Sequence, residues 1–163
     1  MIGSIALLAF VTLERLGELA VARRNTRKLL AQGAKEYGAS HYPLIVLLHA
    51  AWLSGLWLLA WDLPVQPIWL GVFVLLQGLR IWVLASLGGR WTTRIIVLPA
   101  APLVAYGPYR WFPHPNYAVV VGEIAVLPMV FGLGWYALIF SALNAAVLTI
   151  RIRAENRALE DSL

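Results

Sequence analysis

Long apolar stretches separated by short polar segments run through the chain. Five of them approach the roughly 20 mostly apolar residues that a helix needs to cross a membrane; they lie at residues 2–21, 43–61, 68–87, 117–132 and 133–150. The pattern therefore predicts an all-α integral membrane protein with about five transmembrane helices, the last two forming a tight hairpin. The first stretch has no cleavage-site pattern and ends in a basic run, so we expect it to be retained rather than removed as a signal peptide.

The polar connections between these stretches differ in charge. Those between the second and third stretches and between the fourth and fifth carry no basic residue. Basic residues follow the first, third and fifth stretches: Arg23, Arg24, Arg27, Lys28, Lys35, Arg90, Arg94, Arg110, Arg151, Arg153 and Arg157. Because Lys and Arg favour the cytoplasmic side of a membrane, the alternation predicts an N-terminus outside and a C-terminus in the cytoplasm.

Composition narrows the class of protein further. Of the 163 residues, 61% are hydrophobic and 13% are charged, whereas soluble domains have roughly 45–50% apolar and about 25% charged residues. An ordinary soluble globule is therefore excluded. The chain has no cysteine, which excludes disulfides, thiolate metal sites and cysteine nucleophiles. Its net charge of +5 reflects the cytoplasmic loops, so we expect no nucleic-acid partner.

Two polar segments, expected on the same side, carry candidate chemistry. Residues 107–117 read GPYRWFPHPNY, and the prolines predict a rigid extended backbone whose N–H and C=O groups can hold a polar ligand. The alternative is a stiff interfacial turn with an aromatic belt. Residues 151–160 read RIRAENRALE and continue the last stretch as a helix, in which Arg151 and Glu155 share a face. The alternative here is a basic anchor with a surface ion pair.

Together these segments resemble the isoprenylcysteine carboxyl methyltransferase family of integral-membrane methyltransferases. The family pattern is roughly G-P-Y-x-x-x-R-H-P-x-Y, followed after a helical hairpin by R-x-x-x-E-E-x-x-L. The resemblance covers about residues 88–160, with both motifs in order and at the family's spacing. Pro113 stands where the family has Arg, and Asn156 where it has a second Glu, so we expect a locally rearranged cofactor pocket.

The resemblance implies S-adenosylmethionine as the cofactor, with no metal. It implies cofactor contacts from the backbone of residues 109–113 and from Tyr109, Pro113, His114, Tyr117, Glu155 and Asn156. Arg151 is the predicted catalytic residue that binds the anionic oxygen of the acceptor, because guanidinium is always charged and planar, and Arg90 is the second candidate. The chain then divides into a three-helix membrane region at 1–87, expected to face the acceptor, and a catalytic region at 88–163.

The N-terminal half carries an unusual series of polar residues and motifs, namely residues 14–19 (ERLGEL), residues 23–25 (RRN), Gly33, Glu36, residues 41–43 (HYP) and His49. The series looks like that of a bacterial subgroup of the family, which is associated with type III polyketide synthases and methylates hydroxyls of alkylpyrones or alkylresorcinols; this implies a bacterial inner membrane. We predict Glu14, Glu18, His41 and His49 as substrate-binding residues, with Glu14 and the two histidines as candidate bases. Charges at membrane depth are costly, and Arg80 is the expected counter-charge. The alternative is an ion network that only fixes helix packing.

The expected partners are a lipophilic small molecule, either such a hydroxyl compound or a prenylcysteine-type carboxylate, and membrane lipid. Each buried CH₂ contributes ~0.8 kcal/mol, so a long-chain acceptor enters from the bilayer and the cofactor from the cytosol. Self-association stays open. Two other functions also stay open: a sterol-type reductase, which binds NADPH at a similar HPNY segment, and a non-enzymatic assembly or transport subunit.

Overall fold

The computed structural model describes residues 1–99 and 101–160, and within them five α-helices account for most of the chain. They are α1 (Ile2–Ala31), α2 (Tyr42–Ala60), α3 (Pro67–Leu87), α4 (Pro115–Val130) and α5 (Gly134–Glu160). Each predicted apolar stretch is thus a helix. As expected, α5 continues from the last stretch through the 151–160 segment without a break.

Three helices are long and apolar enough to cross a membrane: α2, α3 with the turn that follows it, and α5. The 30 residues of α1 include Glu14, Arg15 and Glu18 near the middle, and α4 has only 16 residues. The number of crossings and the sidedness of the termini therefore stay predictions. Large apolar side chains such as Leu58 and Ile68 face outward, at 79% and 81% exposure, which suits contact with acyl chains.

The apolar core lies where α1, α2, α3 and α4 meet. Leu8, Leu56, Phe73 and Leu127 are almost completely buried there. From α5, the Tyr136 hydroxyl donates to the Trp52 carbonyl of α2 at 2.8 Å. This approach requires a glycine at position 55, because a Cβ there would lie 2.1 Å from the Tyr136 hydroxyl.

A buried ionic network joins α1, α3 and α4. Arg80 of α3 pairs with Glu18 of α1 through two nitrogens and with Glu123 of α4 at 2.6 Å. Arg15 pairs with Glu18 and Glu123, both at 3.0 Å, and the Gln77 amide donates to Glu123 at 2.9 Å. The expected counter-charge role of Arg80 is thus confirmed. Removing one partner from such a cluster leaves an uncompensated buried charge, so the network fixes the three helices together.

Two short strands form an antiparallel pair that the all-α prediction missed. β1 (Lys35–Tyr37) pairs with β2 (Ile95–Val97), with Glu36 opposite Ile96. A three-residue strand is too short to show an alternating pattern, and no hairpin turn joins the two. Beside them, the buried Asn25 amide of α1 donates to the carbonyls of Trp91 at 2.8 Å and Gly88 at 3.2 Å. It thereby ties α1 to the 3₁₀ turn Gly88–Arg90.

The prediction of an extended backbone throughout residues 107–117 is wrong. Gly107–Arg110 is a 3₁₀ turn, and α4 already begins at Pro115. Proline is compatible with the first turn of a helix, where its missing N–H would be unpaired in any case. Gly107 has φ +61°, and a Cβ there would lie 2.2 Å from the Ser86 hydroxyl, so this turn packs closely on α3.

Candidate functional site

Two cavities meet at a common wall on the side of the molecule that holds both polar motifs. The larger cavity, about 790 Å³, lies between residues of 87–98 and 101–105, the 109–117 segment and the C-terminal part of α5. The smaller cavity, about 400 Å³, is lined by side chains from all five helices. Five residues line both cavities: Trp91, Thr92, Asn116, Tyr117 and Arg151. A ligand in one cavity can therefore lie next to a ligand in the other.

The larger cavity brings together all of the predicted catalytic and cofactor-binding residues. Its lining includes Arg90, Tyr109, Pro113, His114, Tyr117, Arg151, Glu155 and Asn156. Arg90 and Tyr109 lie in the two 3₁₀ turns, and Pro113 and His114 directly precede α4. Tyr117 lies in the first turn of α4, and the last three residues lie on α5. Arg90 lies at the exposed rim, where its guanidinium donates to the Pro102 carbonyl.

Arg151 and Tyr117 form the centre of the common wall, and both are buried. Arg151 Nε donates to the Tyr117 hydroxyl at 2.8 Å, and Arg151 Nη2 donates to the Thr93 carbonyl at 2.9 Å. The Tyr117 hydroxyl in turn donates to the Glu155 carboxylate. These bonds fix the guanidinium plane. Among the described residues Nη1 donates no hydrogen bond, so its two N–H groups remain for a ligand.

Aromatic and acidic groups line the larger cavity beside this wall. The His114 ring stacks on Tyr117 at 5.4 Å between centroids, and its Nε2–H donates to Asn156 Oδ1 at 3.2 Å. His114 Nδ1 lies 4.0 Å from Glu155. Burial, with the nearby Glu155 charge, raises the pKa of Tyr109 above the ordinary value of 10.0. The Tyr109 hydroxyl therefore stays protonated at neutral pH and can donate a hydrogen bond.

The smaller cavity has a different chemistry, because most of the surface that its lining residues present is apolar. Leu16, Val46, Leu53 and Leu148 contribute to that wall. The polar members are the network residues Arg15, Glu18 and Arg80, together with Thr12, Tyr42, His49, Ser54, Thr93 and the residues of the common wall. A cavity with a mostly apolar surface and convergent polar groups is typical of a site for a largely apolar ligand.

Two of the predicted substrate-binding residues line the smaller cavity and two do not. Glu18 and His49 are in its wall. Glu14 is absent from the lining of both cavities, and its carboxylate pairs with Arg15 at 3.1 Å. His41, which precedes α2, also lines neither cavity; it packs on Gly38, where a Cβ would meet its ring at 2.1 Å.

The two cavities are also lined by residues that sequence reasoning did not assign to the site. Thr93 contributes through its backbone carbonyl, for which no side-chain pattern exists. Asn116 lies inside the HPNY motif and could have been chosen from it. Trp91 is 4% exposed, and its indole N–H has no hydrogen-bond partner among the described residues. Within those residues no group of three or more His, Asp or Glu side chains could hold a metal ion.

Comparison with known proteins gives one family and two relatives. The model of the isoprenylcysteine carboxyl methyltransferase (ICMT) family matches residues 69–161, more than half of the chain. The uncharacterized protein YpbQ of Bacillus subtilis is 42% identical over 160 residues, covering 95% of each chain. An uncharacterized protein of Haemophilus influenzae is 24% identical over 152 residues, covering 89% of this chain and 88% of the other. No solved structure matches the chain.

Proposed function

We propose that this chain, which belongs to the isoprenylcysteine carboxyl methyltransferase family, transfers a methyl group from S-adenosylmethionine to an oxygen atom of a lipophilic acceptor. The observation that carries the proposal is the common wall, where Tyr117 and Arg151 line both the cavity that contains Glu155 and the cavity that is bounded by aliphatic side chains of α1 and α2. Methyl transfer needs a water-soluble donor and an acceptor held in line and close together. Two adjoining cavities suit that requirement, since one contains charged and aromatic groups for the donor and the other contains aliphatic side chains for the acceptor.

The groups that line the larger cavity fit the cofactor. Glu155 supplies a carboxylate for the ammonium group of the cofactor, and Asn156 supplies an amide for its ribose or carboxylate. The stacked rings of His114 and Tyr117 supply aromatic faces, on which an adenine or a sulfonium can rest. Tyr109 supplies a protonated hydroxyl. When bound, S-adenosylmethionine supplies a methyl group on a positively charged sulfur. The volume of about 790 Å³ is in the range of cavities that enclose small molecules.

The acceptor fits the smaller cavity, with its oxygen at the common wall. Arg151 Nη1 is a charged group there that keeps free donors, and it would hold the acceptor oxygen in place while the Tyr117 and Thr93 bonds keep the guanidinium from turning. The aliphatic wall would hold the chain of the acceptor, at ~0.8 kcal/mol for each buried CH₂. An acceptor of this kind enters from the bilayer between helices, and a charged cofactor enters from the cytosol.

The acceptor class is the finer part of the proposal. We propose a hydroxyl on an alkylpyrone or alkylresorcinol ring, as in the bacterial subgroup that the N-terminal polar series resembles, with a prenylcysteine-type carboxylate as the second class. His49 in the smaller cavity favours the resorcinol hydroxyl, because a carboxylate and the acidic enol of a pyrone are already largely ionised near neutral pH, whereas a phenol-like hydroxyl is a weaker acid that needs a base. We place the enzyme in a bacterial inner membrane, with both cavities toward the cytosol.

The test is a transfer assay on protein purified in detergent. The protein is incubated with methyl-labelled S-adenosylmethionine and a panel of long-chain pyrones, resorcinols and prenylated thiol acids, and label in the organic phase is counted. We expect label on one of these classes and much less label with Glu155→Ala at the same subsaturating cofactor concentration. Folded protein that labels no acceptor and does not bind S-adenosylhomocysteine would overturn the proposal.

A further inference from the structure

We propose that His49 is the general base of the site, taking the proton from a hydroxyl acceptor held in the smaller cavity. The inference rests on the proposed function and extends it, because it names the group that receives the proton. Three observations support it. His49 lies in the cavity wall, its Nδ1 is hydrogen-bonded while its Nε2 is not, and the acidic and hydroxyl groups among the other titratable side chains of the wall are already paired.

The hydrogen bond of His49 determines which ring nitrogen can accept a proton. Nδ1 lies 2.8 Å from the carbonyl of Ile45, one turn earlier in α2. A carbonyl only accepts, so Nδ1 must carry the hydrogen, and the lone pair of the neutral ring lies on Nε2. Nε2 has no hydrogen-bond partner among the described residues. Since His49 lines the smaller cavity, this lone pair is available to a ligand there.

The other titratable groups of the cavity wall come from every helix, and the acidic and hydroxyl groups among them are already engaged. Glu18 of α1 is paired with Arg80 of α3 and with Arg15. The remaining members are Tyr42 of α2, whose hydroxyl bonds Thr93, Tyr117 of α4, whose hydroxyl bonds Arg151 and Glu155, and Arg151 of α5 itself. His49 is therefore the titratable group of this wall, within the described part of the chain, that keeps an unoccupied proton-accepting atom.

The chemistry of the step shows why such an atom is needed. The O–H bond of the acceptor breaks, and its proton goes to the lone pair of His49 Nε2. The electron pair left on the oxygen forms the new bond to the methyl carbon, and the pair of the broken carbon–sulfur bond stays on the sulfur. The ring becomes an imidazolium and later returns its proton to solvent. A phenol-like hydroxyl, with a pKa of about 10, is almost wholly protonated at neutral pH, so its transfer depends on a base.

The experiment compares wild type with His49→Gln on two acceptors that share one alkyl chain, a phenol and a carboxylic acid. General-base catalysis contributes roughly 100-fold or more, so we expect kcat/KM for the phenol to fall by about 100-fold at neutral pH. The loss should shrink as the pH rises toward the pKa of the phenol. The loss for the carboxylic acid should be far smaller, and the affinity for S-adenosylhomocysteine should stay that of wild type, which also shows that the variant folds.

A second readout requires neither cofactor nor turnover. A long-chain nitrophenol is bound to each protein without cofactor, and its ionised fraction is followed by absorbance as the pH is varied. We expect the bound phenol to ionise at a higher pH in His49→Gln than in wild type. Equal ionisation curves and an unchanged pH–rate profile for the phenol would overturn the role of His49 while leaving methyl transfer intact. If wild type neither binds S-adenosylhomocysteine nor transfers a methyl group, the proposed function itself is refuted.

Discussion

Replacing Arg151 by lysine separates charge from geometry at the common wall. Arginine donates through Nε to Tyr117 at 2.8 Å and through Nη2 to the Thr93 carbonyl at 2.9 Å, and it keeps Nη1 for the acceptor. Lysine retains the positive charge but has a single side-chain nitrogen. That nitrogen cannot contact both Tyr117 and the Thr93 carbonyl and also bind a ligand in a fixed position. The substitution therefore preserves attraction for an anionic oxygen and removes its orientation.

The magnitude follows from what orientation contributes to a two-substrate reaction. A misplacement of about 1 Å costs roughly 100-fold in rate, which corresponds to about 2.7 kcal/mol in the barrier. We therefore expect kcat of Arg151→Lys to fall by about 100-fold. The affinity for S-adenosylhomocysteine should change much less, because Glu155, His114 and Asn156 remain in place in the larger cavity.

The assay combines initial rates of methyl transfer with calorimetric titration of S-adenosylhomocysteine on the same preparations. Arg153→Lys is the matched control, since Arg153 is an exposed arginine two residues further along α5 and lines neither cavity. The control should behave as wild type in both measurements. Turnover of Arg151→Lys equal to that of Arg153→Lys would refute the orienting role of the guanidinium.

Three further predictions concern the cofactor, the wall and the ionic network. Glu155→Ala should weaken S-adenosylhomocysteine binding by roughly 10-fold or more, as for a lost charged hydrogen bond, whereas the exposed Glu160→Ala should leave the titration unchanged. Tyr117→Phe should lower turnover by roughly 10-fold, because the guanidinium loses one neutral acceptor, and a cofactor affinity reduced just as much would argue against this account. Arg80→Ala should lower the free energy of unfolding in detergent by about 3–5 kcal/mol. Arg94→Ala breaks an exposed pair with Glu36 at 2.7 Å and should lower the free energy of unfolding by less than about 1 kcal/mol. If Arg80→Ala and Arg94→Ala lower the free energy of unfolding equally, the buried network does not hold the helices together.

The helices were predictable because burial in a bilayer demands long apolar runs with internally satisfied backbones. The start of α1 at Ile2 and the end of α3 at Leu87 coincide with the predicted bounds. The strand pair was missed because it depends on contact between Lys35–Tyr37 and Ile95–Val97, which lie far apart in the chain. The 3₁₀ turn Gly107–Arg110 was missed because a proline both ends a helix and can begin one.

The candidate site, like the fold, was predictable from the sequence only in part. His114, Tyr117 and Glu155, which the two family motifs group together, line one cavity. Helix spacing by itself predicted only that Arg151 and Glu155 share a face of α5. The place of Arg151 between two cavities could not be predicted, since it depends on how α5 packs against the loop that carries Thr93. The position of His41 could not be predicted either, because it too depends on tertiary packing. Its sequence neighbourhood suggested the acceptor side, but its ring packs on Gly38.

The most direct test of methyl transfer is a calorimetric titration of the detergent-purified protein with S-adenosylhomocysteine and, separately, with NADPH. We predict saturable binding of S-adenosylhomocysteine that Glu155→Ala weakens, and no binding of NADPH. Binding of NADPH alone would contradict this account and favour a reductase. Binding of neither ligand by a folded sample would contradict it as well, and would favour a non-enzymatic role in which the polar residues of the two cavities serve only the structure.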